Sequence, residues 1–145
     1  MASNPVTTDN FLPINQKQED CAFEFVKSKR PVSVAILAAE AQKPQIVYSH
    51  QIDLAIYQKD FYNFQGFTPD NFLNYFNALL ERVFLYTGLD LYKNGRSPLD
   101  SLVHEFVHFF QFIESGKDKD FHKNDFNDDL DSAAVSAQLI FREVQ

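Results

Sequence analysis

Three residues in one short run have types and spacing that can do chemistry: His104, Glu105 and His108 in the sequence HEFVH. Residues four apart on a helix share a face about one turn apart, so the two imidazoles can hold one metal ion between them. Glu105 lies beside that pair, where a carboxylate can take a proton from a water activated by the metal. With only 4 His in the chain, a chance H-E-x-x-H is expected in well under ~1% of such sequences. The bland alternative is a pair of core histidines hydrogen-bonded to their neighbours.

The helix that must carry these residues reads SPLDSLVHEFVHFFQFIESG. Ser97 is its expected N-cap and Pro98 its first residue, with Asp100 in the place of a capping-box acid; it should run to about Glu114 and stop at Gly116. Val103, Phe106, Val107, Phe110 and Ile113 cover the side away from the histidines, and Phe109 and Phe112 widen it. A helix so apolar is expected to be central and buried. Polar groups set into it need partners, and a metal ion would supply them.

A tetrahedral site with one position left for water needs a third protein ligand. Glu114 stands where the metzincin pattern puts it, ten residues after His104. That pattern also needs a Gly where Gln111 stands and a Met-turn, and the only Met is Met1. His122, in the polar loop FHKND, can swing in. Asp131 and Asp128 remain, on or before a last helix whose Ala133, Ala134 and Ala137 permit close approach to the histidine helix. N-capping and dipole complementarity are the simpler roles for Asp128 and Asp129.

Around this pair of helices the sequence predicts an α+β domain over 19–145, preceded by an extended polar arm over 1–18 with Pro5 and Pro13. Residues 19–29 read as a short helix or strand broken by Pro31. The stretches 32–39 and 45–57 read as strands joined near Lys43 and Pro44, the second with the alternation Ile52, Leu54, Ile56. Thr68 and Pro69 then open an expected helix on which Phe72, Leu73, Phe76, Leu79, Leu80 and Val83 recur, stopped by Gly88. Asn127 or Asp128 opens the last helix.

With 145 residues, 45% hydrophobic and 23% charged, the chain has room for one packed core, filled in large part by its 16 Phe. A net charge of −7 argues against nucleic acid as a partner. The single cysteine, Cys21, permits no internal disulfide. The N-terminus has neither the basic start nor the apolar run of a signal peptide, and no stretch is long enough to span a membrane. A cytoplasmic protein, or one packaged in a particle, is expected.

HEFVHFFQ followed by a helix reading acid-x-x-Ala resembles the minimal gluzincin core of small bacterial and phage zincin domains, of the form H-E-x-x-H-x-x-Q with a downstream E-x-x-A. Gln111 matches the Gln; Asp131 and Ala134 match the acid and the Ala, with Asp in place of the usual Glu. The likeness covers roughly residues 97–141. It implies a zincin-like fold: a small sheet, a central HExxH helix, and a C-terminal helix carrying the third ligand. It also implies zinc held by His104, His108 and Asp131, with Glu105 as the general base of a metallopeptidase. Tyr86, Tyr92 and His122 are candidate donors to the oxyanion, and an edge strand from 45–57 is a candidate guide for a peptide substrate. The other reading is a zincin-fold assembly module, for example a phage or injection-particle component with a protein partner and little peptidase activity.

Overall fold

The computed structural model describes residues 14–49, 74–86, 97–124 and 129–144. It is α+β: among the described residues there are four α-helices and a three-stranded sheet. Helix α1 spans Gln16–Ser28. Asn15 caps it reciprocally, its Oδ1 accepting the Gln18 N–H at 2.8 Å while Gln18 Oε1 accepts the Asn15 N–H at 3.0 Å. The expected arm therefore gives way to helix at Gln16, three residues early, because Asn15 and Gln18 satisfy the first-turn donors. Ala22, Phe23 and Val26 are its buried face.

The 32–39 stretch is helical, not a strand. A 3-10 turn at Val32–Val34 leads into the short helix α2, Ala35–Glu40. Pro31 sets the entry, and the alanines that follow favour helix over the β-branched residues beside them. Only Ala38 is buried; Val32 is 92% exposed and Ile36 76%, so among the described residues most of the apolar composition that suggests a strand faces outward. Strand β1, Gln45–Ser49, does form, while the Ile52, Leu54, Ile56 alternation lies outside the described residues.

The helix expected between Thr68 and Gly88 is overturned for its described part. Residues 74–86 form a hairpin of β2, Tyr75–Asn77, and β3, Arg82–Tyr86; Thr68 to Leu73 and residues 87–90 lie outside the described residues. The spacing misleads for a physical reason. Phe76 and Val83, seven apart, share a face of a helix, but they are also direct cross-strand partners across a four-residue turn. Leu79, half exposed, and Leu80 fall in that turn. Asn77 Oδ1 accepts the Leu80 N–H at 2.9 Å, and Glu81 takes the left-handed conformation (φ 53°) with no glycine to advertise it. Strand β3 is central, paired antiparallel with β2 and parallel with β1, Ile46 facing Val83.

Helix α3, Pro98–Glu114, forms as its punctuation requires: Ser97 Oγ accepts the Leu99 N–H, Pro98 follows, and Gly116 (φ 81°) ends the run. It is the hub. Helices α1 and α2, the sheet and the last helix α4, Asp129–Val144, all pack against it. Phe23 of α1 meets Phe106 edge-on at 5.2 Å and stacks on Phe110 at 5.1 Å; Phe76 of β2 meets Phe109 and Phe112 at 5.7 and 5.4 Å. On α4, Ala134 and Phe141 are the buried apolar residues and Ala137 is partly buried, whereas Ala133 is exposed and plays no part in the close approach expected of it. No helix among the described residues is long and apolar enough to cross a membrane.

Candidate metal centre

One line of α3 is polar. Asp100, His104, His108 and Gln111 follow at spacings of four, four and three, which keeps them on one face, and that face meets α4. Asp131, Gln138 and Arg142 form the facing line. The two helices run antiparallel: Gln111, late in α3, bonds to Leu130 early in α4, while Asp100, early in α3, bonds to Arg142 late in α4.

At the middle of this seam His104 Nε2 lies 3.3 Å and His108 Nε2 3.5 Å from the same Asp131 oxygen, Oδ1. Ligand atoms of the three residues lie within 4.8 Å of one another, so the group could hold a metal ion. Two imidazoles and a carboxylate are a sound donor set for a divalent transition metal, since the neutral rings and the anionic oxygen are the forms that bind. Both rings are held from behind. His108 Nδ1 is 2.8 Å from Gln111 Oε1, and Gln111 Nε2 donates to the Leu130 carbonyl at 2.9 Å. His104 Nδ1 is 3.0 Å from Gln138 Oε1, and Gln138 Nε2 donates to Asp100 Oδ1, also at 3.0 Å. Arg142 Nε donates to the second oxygen of Asp100 at 2.7 Å.

The electrostatics match this convergence. The hydrogen bond to His108 holds Asp131 down to about 2, with the nearby charges of His104, His108 and His122 adding to the effect against partial burial. Burial alone would lower His108, but its bond to Asp131, with Glu105 and Gln111, raises it above the ordinary imidazole value. Glu105 points into the protein and is buried. Burial pushes its carboxyl up, opposed by His104 and His108 and aided by the Asp131 charge; the backbone N–H of Phe76 in β2 donates to it and opposes the rise. Glu105 thus sits within electrostatic reach of all three residues without joining their cluster.

The remaining expectations sort clearly. Glu114 is committed elsewhere, in a bidentate pair with Arg30 at 2.6 and 2.7 Å. His122, in a 3-10 turn at Phe121–Asn124, is exposed, with its ring centroid 4.8 Å from that of His108. Tyr86 is 1% exposed on β3, while Tyr92 and Asp128 lie outside the described residues. Asp100 is no capping-box acid: it is 1% exposed and turned toward α4. Asp100, Gln138 and Arg142 escape a reading of the motif alone, although the spacing of Asp100 to His104 is the same as that of His104 to His108. Comparison with protein-family models, with curated proteins and with solved structures finds no match to this chain.

Proposed function

We propose that the chain is a zinc-dependent peptidase of zincin-like design, with His104, His108 and Asp131 as ligands and Glu105 as general base. The observation that carries the reading is the pair of separations at Asp131 Oδ1, 3.3 and 3.5 Å. Bonds of about 2.0–2.1 Å to a tetrahedral zinc put neighbouring ligand atoms about 3.3 Å apart. Zinc bound there supplies Lewis acidity to a water and to a substrate carbonyl.

The protein's own groups then do the rest. Glu105, its carboxyl raised by burial, takes the proton from the attacking water and can return it to the leaving amine. His122, exposed beside His108, is the candidate donor to the developing negative charge. Among the described residues the strand that borders Glu105 is β2, through the Phe76 N–H, which makes β2 rather than β1 the candidate to align an extended peptide.

A second reading, an assembly module that holds metal without cleaving, draws support from α4, whose Val135, Leu139, Ile140 and Val144 are each more than 40% exposed. One set of measurements separates the two. Elemental analysis should find about one zinc per wild-type chain and none in His104→Ala, with strong loss in Asp131→Ala. A peptide-library digest read by mass spectrometry should show cleavage by wild type and a loss of roughly 10²–10⁴-fold in Glu105→Gln, which keeps its zinc. Zinc binding with the same empty digest from both proteins selects the assembly module. Full zinc in His104→Ala removes the site altogether.

A further inference from the structure

We propose that Asp100, Gln138 and Arg142 are positioning residues that fix His104 in the tautomer carrying its proton on Nδ1, leaving the Nε2 lone pair aimed at the ligand cluster before any ion arrives. This rests on the metal reading above for its purpose, but its chemistry stands on the hydrogen bonds alone.

Asp100 is 1% exposed, and its two oxygens accept from Gln138 Nε2 at 3.0 Å and Arg142 Nε at 2.7 Å. A carboxylate can only accept, so the amide NH₂ of Gln138 must be the end turned to it. Gln138 Oε1 is therefore the atom left facing His104 Nδ1, at 3.0 Å. An amide oxygen also only accepts, so Nδ1 must donate, and in the neutral ring Nε2 is then bare. Free imidazole side chains favour the opposite tautomer, with the proton on Nε2. Unbraced, His104 would present an N–H to Asp131 Oδ1, 3.3 Å away, in the place an ion must occupy. The residues form a two-by-two ladder: Asp100 and His104 are one turn apart on α3, Gln138 and Arg142 one turn apart on α4. The same chain therefore fixes the register of α4 on α3 and the direction of a lone pair.

The test begins with wild-type protein stripped of zinc and held at mildly alkaline pH. Imidazole ¹⁵N NMR should report His104 as Nδ1–H; a wild-type His104 found as Nε2–H overturns the proposal without any variant. In Gln138→Leu the ring should turn to Nε2–H, and affinity for Zn²⁺ should fall roughly 10–100-fold. An unchanged tautomer or unchanged affinity counts against the brace. The pair Asp100→Asn with Gln138→Glu reverses the polarity of the central bond, the new amide donating to the new carboxylate, which still accepts from His104 Nδ1. It should restore both the tautomer and most of the affinity, and failure to restore the tautomer overturns the brace. Wild type that binds no Zn²⁺ yet holds the Nδ1–H tautomer sinks the metal reading and leaves the brace standing, so the two failures are distinguishable.

Discussion

On the side of α3 that meets α1 and the sheet, Phe106, Phe109, Phe110 and Phe112 interlock with Phe23 and Phe76; on the side that meets α4, Asp100, His104, His108 and Gln111 face Asp131, Gln138 and Arg142. The first contact is held by area removed from water and tolerates small shifts of one ring against another. The second is held by directional bonds, each of which names its partner atom. The difference teaches how one helix can serve two ends. The aromatic side fixes where α3 is, and the polar side, resting on that fixed frame, sets distances finely enough for chemistry.

The aromatic side is most vulnerable at Phe106. Its replacement by Ala should cost about 3–5 kcal/mol of stability, measured by denaturant unfolding, because a fully buried ring leaves a cavity among other rings. Zinc stoichiometry should be unchanged in whatever fraction stays folded. A milder break is Glu114→Ala, which strands the half-buried Arg30. We expect a loss on the order of 2 kcal/mol with zinc affinity unaltered, and a fall in zinc affinity would make Glu114 a ligand after all.

The pH response separates the two sides further, since the seam carries Asp131 and His108 while the aromatic rings carry no charge. Without metal, the depressed Asp131 contributes stability that is present above 3.8 and lost as pH falls toward about 2. The raised His108 contributes stability that is complete below 6.5 and lost as pH rises through its folded value. Metal-free protein should therefore be most stable between those limits, by no more than about 1 kcal/mol given the exposure of Asp131. Protons and zinc compete for the same atoms, so the gain in melting temperature on adding zinc should widen above pH 6.5. A gain that narrows there would contradict histidine ligation. The smallest effect belongs to Glu105→Gln. Burial disfavours the Glu105 charge, so the metal-free variant should melt slightly above wild type at neutral pH.

The aromatic side and the ends of α3 were readable in sequence because their causes are local: Ser97, Pro98 and Gly116 act within a few residues, and helical spacing alone sends His104 and His108 to one face. The hairpin at 74–86 was not readable, because a seven-residue interval suits both a helix face and a four-residue turn, and only pairing with β1 decides between them. Val32 and Ile36 suggest a strand, but among the described residues they lie exposed on a helical segment, where local alanine propensity decides. Where Asp131 comes to lie depends on the docking of α4, a tertiary matter. Gln138 and Arg142, the partners of Asp100, carry no motif, since a brace needs only an amide and a cation at the right depth along a helix.

His108 and Asp131 belong to different helices, 23 residues apart along the chain. An ion shared between them is a removable cross-link. Closing a loop of that length disfavours the unfolded ensemble by about 3 kcal/mol on the chain-entropy account applied to disulfides. On the metal reading, chelation withdraws that constraint much as reduction does in a secreted domain, and leaves α4 held to α3 by the packing of Ala134 and Phe141 and by the bonds of Gln111, Gln138 and Arg142. With the proposed ion bound, metal supply would therefore set part of the domain's resistance to unfolding, and the exposed run Ser115–Asp120 between the two helices is a described stretch on which limited proteolysis with and without chelator can test it.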